Sequence, residues 1–186
     1  MQVPESQRAA FDAALAQLND QYDPAVRAIA TPFSSPGYHT TLQDGTVHST
    51  RTAFQYALAL LDSNEEPWRL RALDVLDGAL VLQDTDPSNP TYGIWSWFYE
   101  EPLSKMSPPD WNWADFCGKE LLMIHRCHGD RLPEAKKERI RAAIRHACLS
   151  IFRRNMHSGY TNISIMGSFV TLCAGETFGW EEILDY

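Results

Sequence analysis

The stretch Arg51–Leu61 reads RTAFQYALALL, and it is the part of the sequence that decides which fold we predict. From Ala53 to Leu61 the segment is apolar on nearly every side, which is typical of a helix buried within a protein. Ser49 or Thr50 suits the N-cap, because a hydroxyl there accepts a hydrogen bond from a first-turn amide. We therefore expect an inner helix here, covered by neighbouring segments of the chain.

Two further apolar helices are predicted, and amphipathic helices separate them along the chain. One apolar helix begins at Asp110 or Asn112 and runs to about His128; the other begins at Thr161 or Asn162 and reads NISIMGSFVTLCAGETF. The amphipathic helices are predicted at Pro4–Tyr22, Glu65–Gln83 and Pro133–Asn155, and Trp180–Tyr186 starts a last helical segment. No segment shows the alternation of a strand, and TPFSSPGYHTTLQDGTVHS (31–49) is predicted to be a loop.

The alternation of amphipathic and apolar helices is itself a repeat. A single helical hairpin cannot bury its apolar member, whereas hairpins placed side by side around an axis can. The predicted fold class is therefore all-α, with alternating outer and inner helical hairpins in a partial (α/α) toroid. The length suits one domain over residues 1–186. Three hairpins do not close a six-hairpin ring, so we expect the N-terminal half of a larger toroid.

Composition and motifs exclude several classes of function. The formal net charge of −8 argues against binding a phosphate backbone, so no nucleic acid partner is expected. The charge-poor run 155–175 is too short in its apolar part to span a membrane. No phosphate-binding loop, nucleophile elbow or metalloprotease motif is present, so no cofactor is expected.

Cysteine and histidine usage indicates neither disulfides nor a metal site. The four cysteines fall in predicted helices without a paired pattern, which is typical of reduced thiols in a cytoplasmic protein. The HRCH stretch (125–128) would not converge on one tetrahedral metal. The N-terminus shows no secretory signal. We therefore predict a cytoplasmic protein with no metal.

The segment 84–112 combines aromatic side chains with acids and is predicted to be a loop at the mouth of the toroid. TYGIWSWFYEEPLSKMSPPDWNWADF (91–116) holds four of the six tryptophans, and its prolines and acids break any core periodicity. In a ring of hairpins all inner helices run parallel, so their N-termini gather at one mouth. The segments approaching those N-termini are therefore expected to form a concave site.

Two stretches carry a resemblance to a known superfamily. TYGIWSWFYEEPLSKMSPPDWNWADFCGKELL (91–122) and GYTNISIMGSFVTLCAGE (159–176) resemble the N-terminal half of the six-hairpin carbohydrate-active enzymes. That superfamily includes glycoside hydrolases and toroids similar to heparinase or alginate lyases. The resemblance implies an oligo- or polysaccharide substrate and chemistry at the toroid mouth.

Within this resemblance, hydrolysis is the favoured chemistry, since it needs a carboxylic acid and a carboxylate beside the glycosidic bond. The catalytic candidates are Glu100, Glu101, Asp110 and Tyr160. Candidates for binding substrate are the polar and aromatic side chains near the three inner helix starts: His39, His48, Arg51, Tyr92, Trp95, Trp97, Trp111, Asn112 and Asn162.

Other interpretations of the same residues stay open. A polysaccharide lyase would use a Tyr or His base and would neutralise a uronate carboxylate with Asn, Arg or His. A non-catalytic helical-repeat module would use the aromatic groove to bind a partner. The tryptophans can equally belong to the core, and Asp110 and Asn112 suit helix caps. The open edges of a half toroid also predict self-association.

Overall fold

The computed structural model describes residues 3–184, and most of them are helical. The α-helices are α1 (Glu5–Asp20), α2 (Thr50–Asp62), α3 (Glu66–Leu80), α4 (Trp113–His128), α5 (Glu134–Arg154), α6 (Thr161–Phe178) and α7 (Glu181–Leu184). Short 3₁₀ turns lie at Leu103–Lys105 and Gly129–Arg131. The prediction of a mainly helical chain is confirmed, and Asp185 and Tyr186 of the predicted last segment lie outside the described residues.

A small antiparallel sheet corrects the expectation that the chain has no strands. It contains β1 (Tyr22–Asp23), β2 (Ala28–Phe33) and β3 (Gly45–His48), in that order. β2 and β3 lie within or next to the segment predicted to be a loop. Only the first two residues of β2 and the last two of β3 are buried. Strands this short and this exposed leave no alternating pattern to detect.

The helices pack in two layers, with the apolar helices side by side. α4 lies between α2 and α6, while α3 packs on α2 and α5 packs on both α4 and α6. α3 and α5 also touch each other, so the amphipathic helices form the second layer. The core lies between the layers and continues under the sheet; its largest fully buried side chains include Trp95, Tyr56, Phe54, Ile29, Leu121 and Ile140.

The helix starts match the expected caps in part. Ser49 is the N-cap of α2, and its hydroxyl accepts a hydrogen bond from the Thr52 amide at 3.4 Å. Asn112 is the N-cap position of α4 but makes no capping bond with its side chain. Asp110 stabilises this turn instead, because its Oδ1 accepts a hydrogen bond from the Asn112 amide at 3.0 Å. Among the described residues, no helix has the length and apolar character needed to cross a membrane.

Candidate functional site

The starts of α2 and α4 are joined directly, and the loop 84–112 is attached to the same point. Trp113 Nε1 donates a hydrogen bond to Thr50 Oγ1 at 2.7 Å, and that hydroxyl donates to the Ser96 carbonyl at 2.7 Å. The Thr50 amide donates to the Trp97 carbonyl at 3.0 Å. α6 runs beside α4 in the same direction, because Gly167 lies against Asp115 and Val170 lies against Gly118. The starts of α2, α4 and α6 therefore lie at one end of the molecule.

A row of aromatic rings lies at this end, and we call it the ring row. Its members are Tyr38, His39, Trp97, Trp113 and Phe116. Neighbouring centroids from Tyr38 through Trp97 to Phe116 are 5.1 to 6.1 Å apart, in the tilted and edge-to-face geometry that aromatic pairs prefer. Tyr38 is 58 % exposed and forms the open end, so a ligand can reach the row from solvent.

One hydrogen bond fixes the tautomer of His39, which lies at the open end of the ring row. Its Nδ1 lies 2.5 Å from the Pro108 carbonyl oxygen. A carbonyl only accepts, so Nδ1 carries the proton of this bond. In the neutral ring Nε2 then keeps its lone pair, and that nitrogen is a base.

Arg51 forms the inner end of the ring row. Its guanidinium carbon lies 4.1 Å from the centroid of the Phe116 ring, a cation–π contact. Its Nε is buried and has no hydrogen-bond partner among the described residues. A buried donor without a partner carries a desolvation cost that an anionic ligand would remove.

Asp110 fixes the position of Trp97 against the start of α4. It is buried, and Trp97 Nε1 donates to its Oδ2 at 3.1 Å, while Oδ1 accepts from the Asn112 amide. Each oxygen thus makes one hydrogen bond and keeps a further lone pair.

Asp115 lies close by and is the acid that sequence reasoning missed. Burial raises the pKa of its carboxyl to about 7, and the Asp110 charge adds to this while Arg154 opposes it. The carboxyl lines a cavity of about 220 Å³ between α4, the end of α5 and the start of α6. Its Oδ1 lies against Gly167, where a Cβ would come within 2.9 Å. The only signal in the sequence was an acid within the first turn of a mostly apolar helix.

A second cavity, of about 280 Å³, lies beside the first and is cationic. Its walls include Trp111, Tyr92, Arg153 and Arg154. Tyr92 OH lies 2.6 Å from His146 Nδ1, and the Arg153 guanidinium carbon lies 4.6 Å from the Tyr92 centroid. Arg154 also donates a hydrogen bond to Asn112 Oδ1, so it links this cavity to the start of α4, where Asp115 lies.

The three acidic catalytic candidates do not share one site. Glu100 turns to the sheet, where its Oε1 lies 2.5 Å from His48 Nδ1; the His48 ring also lies 3.5 Å from an Asp23 oxygen. Glu101 is 1 % exposed and accepts hydrogen bonds from the Thr41 amide and hydroxyl at 2.7 and 2.6 Å. Glu100 and His48 therefore belong to one network, Glu101 to another and Asp110 to a third.

The structure also separates some of the predicted sugar contacts. Trp95 has no exposed surface and packs edge-to-face on Phe54 with centroids 5.6 Å apart, so it is a core residue rather than a sugar platform. Its burial follows from the packing of the loop under α2, which the sequence does not reveal. Tyr160 and Asn162 are exposed at the start of α6, away from the rings and acids described above.

The structure brings together some of the predicted site residues and adds others. His39, Arg51, Trp97, Asp110 and Asn112 meet at the starts of α2 and α4, with Tyr92 and Trp111 on the adjoining cavity. The additions are Tyr38, Trp113, Phe116, Asp115, Arg153 and Arg154. We call this combined surface the helix-start site. Between residues 3 and 184, no three His, Cys, Asp or Glu side chains converge as they would to hold a metal ion.

Comparisons with known proteins place the chain in a family without assigning an activity to it. No curated protein and no solved structure matches the chain at a significant level. One family model, described as a domain of unknown function, matches residues 8–186, which is nearly the whole chain. The chain therefore belongs to the DUF8769 family.

Proposed function

We propose that this protein is a carbohydrate-active enzyme that cleaves glycosidic bonds at the helix-start site, as a glycoside hydrolase. The observation that carries the proposal is the ring row, which is open to solvent at Tyr38 and is hydrogen-bonded through Trp97 to the buried acid Asp110. Aromatic faces stack on the apolar faces of sugar rings, and neighbouring carboxylates and amides bind hydroxyl groups. The combination of rings, acids and cations is what an oligo- or polysaccharide site requires.

The helix arrangement supports the proposal through the fold. α2, α4 and α6 lie side by side with α3 and α5 behind them, which is the arrangement expected of part of an (α/α) toroid, the architecture of the enzymes that the sequence resembles. Under this proposal residues 1–186 form one such domain. The segment 84–112 forms a wall of its mouth.

Asp115 takes the role of general acid in this mechanism. A carboxyl whose pKa is about 7 is still largely protonated in mildly acidic solution and can pass its proton to the leaving glycosidic oxygen. Asp110 is the second carboxylate and uses a free lone pair to activate water or to attack the anomeric carbon. Activity should then fall as pH rises through about 7, because the proton donor is lost.

A second candidate is cleavage of a uronate-containing polysaccharide by β-elimination, and Arg51 favours it. The partnerless Nε of Arg51 suits the uronate carboxylate that a lyase must neutralise. The two chemistries differ in their products, since a hydrolase releases saturated sugars and a lyase releases unsaturated uronates.

The test is a panel of neutral and uronate-containing polysaccharides, followed by reducing ends and by ultraviolet absorbance of unsaturated uronates. The hydrolase proposal expects reducing ends without absorbance, and Asp115→Asn should lower the rate by a factor of about 10² or more. Asp12→Asn, which changes an exposed acid on α1, is the matched control and should keep the wild-type rate.

Three results would count against hydrolysis. Absorbance appearing together with reducing ends would identify a lyase, and Asp115→Asn would then have little effect. Glycan binding without either product would favour the non-catalytic binding module. Failure to bind any glycan would overturn the whole proposal.

Tyr38 provides a test of the glycan surface that does not depend on chemistry. Because most of its side chain is exposed, Tyr38→Ala should change stability by less than about 0.5 kcal/mol. Loss of a stacking platform should weaken glycan affinity by roughly tenfold, since aromatic contacts are worth about 1 kcal/mol or more. Glycan affinity is measured by isothermal titration calorimetry. Leu70→Ala, at an exposed apolar residue of α3, is the control and should leave that affinity unchanged.

A further inference from the structure

A cavity of about 730 Å³ lies between the C-terminal end of α3 and the loop 84–112, and we call it the loop cavity. It is not part of the helix-start site, although the same loop forms a wall of both. Its polar lining includes Gln83, Asp84, Ser96, Tyr99 and Glu101. The remaining walls are largely leucine, valine, methionine and proline side chains, which is typical of a site for a small organic molecule.

Glu101 is the feature of the loop cavity that most needs a ligand. The residue is almost fully buried, and Thr41 satisfies only Oε1. Oε2 is buried and has no hydrogen-bond partner among the described residues. A carboxylate oxygen left in this state costs free energy that a hydrogen-bond donor would recover.

Glu101 stays ionised despite its burial. Burial raises the pKa of the carboxyl, but the Thr41 hydrogen bonds and the nearby Thr40 hydroxyl outweigh that effect. The positive charge of Lys105 also lowers this pKa, so the pKa of the Glu101 carboxyl ends below its usual value. The cavity therefore contains a negative charge at ordinary pH.

Tyr99 is a second lining residue with an unsatisfied group. Its hydroxyl is buried without a hydrogen-bond partner among the described residues, and both the ring and the hydroxyl lie against Gly78 of α3. Burial raises the pKa of this hydroxyl, so it remains neutral and can donate or accept a hydrogen bond.

The charged residues that line the loop cavity are both acids. Asp84 is the second acid in the lining, and the lining residues include no lysine, arginine or histidine. Asp84 already accepts hydrogen bonds from Thr91, Asn89 and the Asp86 amide, so its role is to add negative potential. An anionic, mostly apolar cavity without an internal cation selects positively charged ligands.

We propose that the loop cavity binds a small organic cation, a primary amine on an apolar body, whose ammonium donates to Glu101 Oε2. Charge-assisted hydrogen bonds of this kind are roughly twice as strong as neutral ones. The apolar body would lie on the Leu103 and Met106 side of the cavity. The proposal does not depend on glycan cleavage and stands if that activity is never found.

The experiment compares benzylamine with benzyl alcohol, which share a ring and differ in charge. Each is titrated into the protein while backbone amide shifts are followed by nuclear magnetic resonance. We expect saturable shifts at Thr41, Tyr99 and Glu101 with benzylamine, and an affinity at least about tenfold weaker for benzyl alcohol. Equal affinities, or no saturable shifts with benzylamine, would overturn the proposal.

Variants locate the binding in the loop cavity. Glu101→Gln keeps an acceptor for Thr41 but removes the charge, so benzylamine should lose its advantage over benzyl alcohol; Glu5→Gln, on exposed α1, is the control for the same charge change. Ser104 is exposed at the rim, so Ser104→Trp should fold and block entry even if Glu101→Gln does not fold. Benzylamine binding that survives Ser104→Trp unchanged would show that the amine binds elsewhere and would refute the site.

Discussion

At the scale of single residues, Asp115, the proposed proton donor, illustrates how a buried acid can be costly to the fold. The pKa of its carboxyl rises from 3.8 to about 7 on folding, chiefly because of burial. Between these two pH values the carboxyl is ionised in the unfolded chain but still protonated in the folded protein. The free energy of unfolding therefore falls as pH rises through this range. Above about pH 7 that cost is fully present, and below about pH 4 it is absent.

Asp115→Asn should therefore stabilise the protein in alkaline solution while removing the proposed proton donor. We expect a gain of a few kcal/mol at about pH 8, at about 1.4 kcal/mol for each pKa unit, and almost none at about pH 4. Urea denaturation at the two pH values measures this difference, with Asp12→Asn as the exposed control. A variant less stable than the wild type at the higher pH would contradict the prediction.

At the scale of structural elements, the loop 84–112 depends on one close approach to α5. Gly93 has a positive φ of 85°, and a Cβ there would meet the His146 carbonyl and lie 2.8 Å from Ser150 Cβ. Gln83 supports the same contact, because its Nε2 donates to the Gly93 and Ala143 carbonyls at 3.0 Å each. The loop that forms part of the helix-start site is thus anchored on an outer helix.

Gly93→Ala should destabilise the protein by more than about 3 kcal/mol, because it adds steric overlap to an unfavourable φ. Gly37→Ala is the matched control: its φ is also positive, but nothing lies within 4 Å of the added Cβ, so a cost of about 1 kcal/mol is expected. Denaturation curves of both variants give the comparison. Equal losses would mean that the contact with α5 is unimportant.

At the scale of the whole molecule, α6 leaves an apolar stripe open to solvent. Ile165, Phe169 and Leu172 recur at helical spacing and are all exposed, whereas the corresponding faces of α2 and α4 pack against neighbouring helices. Exposed apolar stripes of this kind mark interaction surfaces. The net charge of −8 opposes association of two copies, and salt would screen that repulsion.

We expect reversible self-association through this stripe, stronger at high salt. Ile165→Glu should make the protein monomeric by placing a charge in the interface, whereas Leu70→Glu on α3 should not. Sedimentation measured over a range of protein and salt concentrations distinguishes the two variants. A wild-type protein that stays monomeric throughout would exclude the second copy as the partner of this face.

The helices were predictable because their signal is local. RTAFQYALALL indicated α2 through the apolar character of successive residues, and Ser49 was recognisable as a cap from its own side chain. The same reasoning found the other long helices. It missed the sheet because β2 and β3 bury too few residues to show a period.

The sequence predicted the region of the candidate site but not which residues form it. Aromatic and acidic residues between 84 and 112 indicated the correct end of the helices, yet Glu101 pairs with Thr41 at a sequence separation of 60 residues. Likewise the pKa of Asp115 depends on Arg154 and on the depth of its burial, and neither is visible near Asp115 in the chain. Pairings over such distances follow from packing.

The sequence by itself therefore determined where the long helices lie, because periodicity and capping act between residues a few positions apart. Only the tertiary structure decided that Trp95 belongs to the core, that Trp97 joins the ring row and that Asp115 rather than Glu100 or Glu101 lies beside Asp110. The physical reason is that exposure, hydrogen bonding and pKa depend on neighbours in space. Those neighbours come together only when the inner helices align and the loop closes on them.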